Sequence, residues 1–210
     1  DVDVVAKDAI VVELQSTSLG LKEVLVLSSL GIDRKTPVAV STVGTKFAQE
    51  NLGSQELPEL LKITPSAFIT KAGGGLGDSR INIRGFDQKN VAILINGVPV
   101  NDMENGWVYF SNWAGIGDAL KQMQVQRGLG ASKLAIASVG GTMNIITKTT
   151  DVSKGGSLMQ SFTSYGQWKS VLSLSTGNKK WGSFSFVGST TQGNGYINGT
   201  WAKAYSYFLS

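Results

Sequence analysis

The stretch "AGGGLGDSRINIRGF", residues 72–86, packs five glycines and two arginines around an alternating run at 80–84. A glycine loop that binds phosphate requires a following helix, because the ligand is held by free N–H groups at the helix N-terminus. Here a strand pattern follows, no Gly-Lys-Ser/Thr is present, and an arginine occupies the last position of the Gly-x-Gly-x-x-Gly spacing. The stretch therefore predicts a loop between strands ending at Thr70 and beginning at Arg80. Asp78 and Ser79 are expected to hold this loop locally.

Composition excludes several kinds of site. The 210 residues contain no histidine and no cysteine, which excludes Ser-His-Asp and Cys-His nucleophiles, His/Cys zinc sites and disulfides. A hydrophobic content of 41% suffices for a core, and 16% charged residues is low for a soluble protein. No run reaches the roughly 18 apolar residues of a transmembrane helix, and no signal peptide follows Asp1. We expect a mature chain, a single domain or a fragment.

A change in composition divides the chain near Thr150–Gly155. Residues 1–150 are electrically neutral, whereas residues 151–210 hold five lysines and a single acid, Asp151. The same last segment contains 11 of the 18 aromatic residues. Its positive charge is too dilute for a nucleic-acid surface, which requires clustered Lys and Arg on one face. No nucleic-acid partner is therefore expected.

Residues 37–148 show short strand and helix patterns that predict one α+β unit. Asn96-Gly97 is a strong hairpin signal, because both turn positions need a positive φ. Leu60 has helical spacing to its leucine neighbours, with Ser54 as a candidate N-cap and Thr64-Pro65 as the stop. The predicted strands lie at 9–14, 21–27, 37–43, 81–83, 91–95, 124–127 and 142–147, and the predicted helical segments at 57–61 and 118–123.

The C-terminal segment alternates with a period of two. Leu172 and Leu174 alternate with serines, as do Phe184 and Phe186, and the polar "TGNKKWG" lies between the two runs. A strand pair with an apolar face and a small polar face suits a membrane β-barrel with a polar lumen. A soluble sheet gives the same period, so the pattern alone leaves both alternatives open.

Four motifs occur in order: "GDSRINIRGF" (77–86), "VAILINGVPVND" (91–102), "VQRG" (125–128) and "VGGTMNIITK" (139–148). Together they resemble the plug domain of TonB-dependent outer-membrane receptors, and the resemblance extends over residues 21–210. It implies an α+β plug followed by antiparallel strands of a transmembrane β-barrel of about 22 strands, mostly absent from this chain. The implied divisions are 1–20, the end of a preceding β-rich regulatory-like domain; 21–36, TonB box and linker; 37–150, plug; and 151–210, first barrel strands.

The resemblance implies a transporter and not an enzyme. It would sit in the outer membrane of a Gram-negative cell, with the plug inside the barrel and the N-terminus in the periplasm. The implied partners are TonB and the inner-membrane energy-coupling complex, outer-membrane lipid, an extracellular nutrient (glycan, peptide or chelate) and a surface lipoprotein. No cofactor is implied. The rival hypotheses are a soluble β-rich glycan-binding or adhesin module and, less favoured by the scattered acids, a glycosidase with paired carboxylates.

Two sets of residues are implied to make mechanical contacts. "LKEVLVL" resembles the TonB box, so Glu23, Val24, Leu25 and Val26 are the predicted TonB-binding residues. An extended segment can add to an exposed sheet edge, although an ordinary edge strand reads the same way. Arg84 and Arg127 precede glycine in the motif positions and are implied to pair with carboxylates on the barrel wall. The alternative is a pair of solvated surface arginines.

The loop "NDMENGWVYFSNW" (101–113) interleaves aromatic rings with amides and carboxylates. Such a set could line a site for a sugar, peptide or chelate, or its rings could simply anchor the loop against the barrel interior. Three oxygen donors on this loop are weak evidence for a cation, so no metal site is predicted. The candidate substrate residues are Asn101, Asp102, Trp107, Tyr109 and Trp113.

Overall fold

The computed structural model describes residues 39–72, 77–128, 138–148, 153–179 and 182–210. Within these ranges the chain forms an N-terminal unit (residues 39–148) and a C-terminal sheet (residues 155–209). No helix in the described ranges is long and apolar enough to cross a membrane. The strands predicted at 9–14 and 21–27 lie outside the described residues.

The N-terminal unit is an α+β arrangement, as the patterns predicted. Its larger sheet has the order β1-β7-β8-β5-β6, and a smaller sheet has the order β2-β3-β4. Its elements are β1 (Ala39–Gly44), α1 (Thr45–Asn51), β2 (Ala67–Thr70), β3 (Arg80–Ile83), β4 (Phe86–Asp87), β5 (Val91–Ile95), β6 (Val98–Pro99), β7 (Leu120–Arg127) and β8 (Gly141–Thr147).

The central strands of the larger sheet are covered on both faces. Strands β5 and β8 pair in parallel, and every residue of β8 is buried. Continuous apolar runs such as Val91–Ile95 are typical of such strands. The Asn96-Gly97 turn, with φ of 51° and 83°, joins β5 to β6 and confirms the predicted hairpin. The core also takes in the leucines of the 3-10 helix Leu57–Ile63.

Two local predictions were wrong. The segment 118–123 is not helical, because β7 begins at Leu120 and Asp118 lies in the turn before it. Nor does Ser54 cap the 3-10 helix, since Glu56 is the residue in front of it. The Ser54 hydroxyl lies instead 2.5 Å from that of Thr163 in the C-terminal sheet. Helix α1 was missed, because its seven residues bury only Ala48 and carry no side-chain cap.

The C-terminal sheet consists of antiparallel strands in the order β12-β11-β10-β9. They are β9 (Gly155–Thr163), β10 (Gln167–Ser175), β11 (Ser185–Asn194) and β12 (Trp201–Leu209). Each has 9 or 10 residues, which is the length of a membrane-crossing strand in a barrel. The predicted hairpin is present, with Leu174 opposite Phe186.

The two faces of this sheet differ in exposure. One face leaves large apolar and aromatic side chains uncovered, among them Leu158, Phe162, Leu174, Tyr207 and Leu209. The other face packs on the N-terminal unit, where Val171 and Val187 are buried together with Ala119. The N-terminal unit therefore covers the inner face of the sheet.

Candidate functional site

The loop 101–113 is built on the side-chain amide of Asn101. Asn101 Nδ2 donates hydrogen bonds to the backbone oxygens of Val91 (3.0 Å) and Gly106 (2.9 Å), and its Oδ1 accepts one from the Ile93 N–H (2.8 Å). Because Val91 and Ile93 belong to β5, the amide ties the loop to the buried centre of the larger sheet. These three bonds give Asn101 a positioning role, and its contact with a substrate stays a prediction.

Asp102 and Asn105 shape the tip of the loop. Asp102 Oδ1 accepts the N–H groups of Glu104 (2.8 Å) and Asn105 (3.1 Å), which is the local turn that Asp side chains favour. Asn105 Oδ1 accepts the Trp107 N–H (2.8 Å), and its Nδ2 donates to the Tyr109 hydroxyl (3.2 Å). In the described ranges, no group of three His, Cys, Asp or Glu side chains could hold a metal ion.

Beyond the tip, the loop alternates between anchoring and outward-facing rings. Val108 and Phe110 are buried, and the buried Gln88 Nε2 donates to the Val108 oxygen (2.7 Å). Trp107 lies under the guanidinium of Arg80, 5.2 Å from the ring centre, in a cation–π contact. The alternation means that one set of side chains holds the loop, while Trp107 and Tyr109 keep exposed ring surface.

Among the described residues, distant partners fasten the end of the glycine stretch. Asp78 Oδ1 accepts the Ser111 N–H (3.0 Å), and the Ser79 N–H donates to Glu56 Oε2 (2.7 Å). These two contacts were not predicted, and the prediction that Asp78 and Ser79 also hold the loop locally stays a prediction. Residues 73–76 lie outside the described ranges, whereas the flanking strands β2 and β3 end and begin where predicted.

A cavity of about 480 Å³ lies between the N-terminal unit and the C-terminal sheet. Three partly exposed rings line it: Trp113 from the loop, and Tyr165 and Tyr196 from turns of the sheet. Carboxamides from both parts complete the polar lining, namely Gln55, Gln167 and Gln192. Of the five predicted substrate residues, all of which are described, Trp113 is the one in this lining.

The charges beside the cavity are largely paired. Glu59 is buried and forms ion pairs with Lys62 (2.7 Å) and Lys71 (3.3 Å). Glu56 uses one oxygen on the Ser79 N–H. The cavity therefore offers rings, amides and hydroxyls more than unpaired charge, which suits a polar ligand with apolar faces.

Arg84 and Arg127 lie at one end of the N-terminal unit. Arg84 is the first residue of the β3–β4 turn and has a left-handed φ of 53°. Its guanidinium passes over Gly128, where a Cβ would overlap with it. Arg127 Nη1 donates to the Pro65 oxygen (3.1 Å), and its buried Nε has no hydrogen-bond partner among the described residues. None of the ion pairs between described residues involves either arginine.

The segment 113–119 runs along the C-terminal sheet, and sequence reasoning missed its role. Gly115, with φ of 78°, lies so close to the C-terminal sheet that a Cβ would be 2.6 Å from the Ser189 hydroxyl. Asp118 Oδ1 lies 2.8 Å from Lys169 Nζ on β10. The one available signal was a lysine among the serines and apolar residues of that strand.

Lys148 flanks the same contact from the end of β8. Its Nζ donates to the Asp118 backbone oxygen at 2.8 Å. Burial lowers the pKa of the Lys148 ammonium below its ordinary value, and the Asp118 carboxylate partly offsets this effect. Folding is thus opposed by the charged form of Lys148, and this contribution disappears as pH rises above the lowered pKa.

Of the predicted contact residues, the four proposed to bind TonB lie outside the described residues: Glu23, Val24, Leu25 and Val26.

The α+β unit covers the inner face of a sheet whose strands have the length of a membrane crossing, and the outer face of that sheet is suited to lipid. This is the arrangement of a plugged outer-membrane barrel. The TonB-dependent receptor plug domain family model matches residues 33–142. The chain therefore belongs to the TonB-dependent receptors, an outer-membrane family of Gram-negative bacteria that binds siderophore or nutrient ligands and interacts with TonB. Members are transporters and not enzymes. We call the N-terminal unit the plug and β9–β12 the barrel strands.

Named relatives share this region. The chain is 28% identical over 150 residues to the ferric enterobactin receptor of Pseudomonas aeruginosa, covering 66% of this chain and 20% of that protein. It is 27% identical over 118 residues to the vitamin B12 transporter BtuB of Vibrio vulnificus, covering 56% of this chain and 19% of that protein. The chain thus spans about a fifth of the length of these relatives.

Solved structures share the fold. The siderophore receptor PirA from Pseudomonas aeruginosa superposes with a TM-score of 0.59 at 23% identity, over 84% of this chain and 32% of that chain. The pyoverdine outer-membrane receptor FpvA from the same species gives a TM-score of 0.62 at 16% identity, over 84% and 25%. The family match over residues 33–142 sets aside the soluble-module alternative.

Proposed function

We propose that the full-length receptor imports an extracellular nutrient across the outer membrane with energy delivered by TonB and the inner-membrane complex. In this proposal residues 1–20 end a preceding β-rich regulatory-like domain, 21–36 are TonB box and linker, 37–150 the plug and 151–210 the first barrel strands. The plug lies inside the barrel with the N-terminus in the periplasm. Outer-membrane lipid surrounds the barrel, and a surface lipoprotein is a further candidate partner.

The observation that carries the proposal is the position of β1. It forms one end of the larger plug sheet and pairs along its whole length with β7, from Ala39 opposite Arg127 to Gly44 opposite Gln122. A pull arriving along residues 21–36 acts first on the Ala39 end of this pair of hydrogen-bonded strands. Because β7 starts just after Asp118, force on β1 reaches the segment that touches the barrel strands. The plug sheet is thus built to transmit a pull from its N-terminus to the wall.

Glu23, Val24, Leu25 and Val26 are the proposed TonB contact. An extended peptide that adds to a sheet edge uses its main-chain N–H and C=O groups for grip, and alternate side chains fix the register. Val24 and Val26 would face one side and Glu23 and Leu25 the other. The polar stretch "SSLGIDRKT" behind them supplies slack between this segment and β1.

The cavity beside Trp113 is the proposed substrate site. Stacking rings and amides recognise glycans and peptides as well as the organic shell of a metal chelate. Trp107 and Tyr109 lie on the same loop outside the cavity lining and are proposed as further ligand contacts, while Asn101 and Asp102 hold the loop in place. The related proteins named above handle vitamin B12 and ferric enterobactin. Cyanocobalamin, ferric enterobactin, neutral oligosaccharides and peptides are therefore the probes to compare.

Intact cells that produce the full-length receptor are expected to accumulate one of these labelled probes, and a protonophore should abolish the accumulation but not surface binding. Trp113→Ala should weaken binding about tenfold, since one stacking ring contributes roughly 1–3 kcal/mol in nucleobase complexes. Phe68→Ala is the matched control, because Phe68 is an exposed ring in β2 away from the cavity. Accumulation that persists with the protonophore would refute energy coupling. Equal affinity losses in both variants would refute the site.

Arg84 and Arg127 are proposed to pair with carboxylates on the barrel wall. Two facts support this proposal: Arg84 keeps a left-handed φ that costs a non-glycine residue about 1 kcal/mol or more, and Arg127 has a buried Nε with no partner among the described residues. Strained non-glycine residues persist where function requires them.

Arg84→Ala and Arg127→Ala are expected to loosen plug retention without lowering ligand affinity. Arg84 is exposed among the described residues, so the proposal requires the remaining barrel wall to cover it. If the pair is desolvated there, removing one partner leaves an uncompensated carboxylate, at about 3–5 kcal/mol. Sensitivity of cells to a large antibiotic that the outer membrane normally excludes measures the leak. Lys89→Ala, an exposed cation in the same motif region, is the control. Unchanged sensitivity in both arginine variants would contradict the pairing.

A further inference from the structure

A buried ion pair joins the plug to the barrel strands. Asp118 Oδ1 and Lys169 Nζ are 2.8 Å apart, and their side chains are only 3% and 5% exposed. Asp118 lies in the turn before β7, and Lys169 is the third residue of β10. The charges therefore meet across the boundary between the two parts, almost entirely buried, with Lys169 also lining the cavity beside Trp113.

The pair is closed in by its neighbours. Ala119 packs with Val171 and Val187 in a small apolar cluster beside it, and Met159 and Phe208 border that cluster. The second Asp118 oxygen, Oδ2, is buried without a hydrogen-bond partner among the described residues. Lys148 donates to the Asp118 backbone oxygen and adds positive charge nearby. The Asp118 carboxylate therefore has Lys169 as its direct ion-pair partner and Lys148 as a second nearby cation.

A buried pair of this kind adds little stability over an apolar pair of the same size, yet removing one partner is strongly destabilising. The contact is therefore sensitive to displacement, because separating the charges leaves each one unpaired in a poorly hydrated place. Asp118 is also one residue away from Ala119, and two away from the start of β7. Any shift of β7 along the wall carries Asp118 away from Lys169.

We propose that Asp118 and Lys169 form a latch that holds the resting plug against the barrel wall and must open before the plug can move. The proposal rests on the proposed function only for what opens the latch, namely the pull transmitted through β1 and β7. The polarity is the reverse of that assigned to Arg84 and Arg127, since here the acid belongs to the plug and the base to the barrel. The two contacts also differ in place, because Arg127 ends β7 and Asp118 precedes it.

Planar-bilayer conductance of the purified full-length receptor, without TonB, tests the latch. Asp118→Asn and Lys169→Met should each raise the open probability about tenfold, because a charge is left unpaired. The double variant with Asp118→Leu and Lys169→Met removes both charges of the pair, so neither partner is left unpaired, and conductance should return toward the unmodified level. The half-buried Lys148 keeps its bond to the backbone oxygen of residue 118 and is present in every variant compared. Asp87→Asn and Lys203→Met, an exposed acid of the plug and an exposed base of β12, are the matched controls.

The outcomes separate the latch from its alternatives. Two results would overturn the proposal. The first is that the single variants conduct like their controls. The second is that the fold-increase in open probability of the double variant equals the product of the fold-increases of the two single variants. Heat-dependent gel mobility reports whether each barrel has assembled. If Lys169→Met fails to assemble, Lys169→Arg replaces it; this variant keeps the charge and should remain closed. An assembled Lys169→Arg receptor that leaks would also count against the pair. Leak in the single variants of a receptor that shows no proton-dependent uptake would support the latch and refute the proposed function.

Discussion

Deleting Lys22–Leu27 from the full-length receptor is expected to abolish uptake and leave extracellular ligand binding unchanged. The segment belongs to the proposed TonB contact, so its loss removes the point at which the pull is applied. The proposed ligand site lies elsewhere, at Trp113 of the loop 101–113 and at the turns between the barrel strands. Uptake and equilibrium binding of the same labelled ligand, measured on the same cells, separate the two effects.

The matched control is a deletion of equal length from the polar linker, residues 29–34. Both deletions shorten the tether by six residues, or about 20 Å when extended. The linker deletion keeps the TonB contact and should retain part of the uptake. Val24→Pro gives a finer test, since proline removes a main-chain donor that strand addition needs, whereas Val24→Ala keeps it.

Two results would contradict this expectation. Loss of ligand binding together with uptake would show that the segment is a structural strand of a preceding domain. Equal loss of uptake in both deletions would show that tether length matters and the sequence of the segment does not.

The sequence predicted most of the plug strands because their signals are local. Val91–Ile95 is continuous and apolar, and the Asn96-Gly97 turn adopts the positive φ values that its residue types favour. The alternation in β10 and β11 likewise follows from the period of two. Patterns of this kind depend on neighbours in the chain, so a single sequence is enough to find them.

The errors arose where distant parts of the chain decide the structure. Residues 118–123 have helical composition, yet β7 extends to Leu120 because β8 offers a partner strand there. Asp78 bonds to Ser111, 33 positions away, so a local turn rule could not find its partner. The Asp118–Lys169 pair joins residues from separate parts of the fold and carries no motif. Sites formed by such contacts become visible only with the structure.

Gly115→Ala is expected to displace the plug from the barrel wall and give a permanently leaking receptor. A Cβ on Gly115 would overlap with the Ser206 hydroxyl and lie 2.6 Å from that of Ser189 and 2.8 Å from the Ser206 Cβ. Serine side chains are short and cannot swing far, and these two are hydrogen-bonded to each other at 2.7 Å. The backbone φ of 78° adds strain for any residue other than glycine.

Gly85→Ala separates the overlap from the backbone strain. Gly85 has a similar φ of 82°, but a Cβ there would meet nothing within 4 Å. Both variants carry the same conformational penalty of about 1 kcal/mol, whereas only Gly115→Ala pushes against β11 and β12. Bilayer conductance should therefore rise strongly for Gly115→Ala and stay near the unmodified level for Gly85→Ala.

Removing the obstacle should reverse the effect. Ser206→Gly in the Gly115→Ala background removes two of the three atoms that the new methyl group meets. It also removes the hydrogen-bond partner of Ser189, whose hydroxyl can then rotate away, so the plug can return to the barrel strands. Ser206→Gly alone should not leak, because the latch and the apolar cluster remain. A Gly115→Ala receptor that assembles and stays closed would show that the segment 113–119 does not press against β11 and β12. It would also contradict the proposal that this segment couples β7 to the barrel.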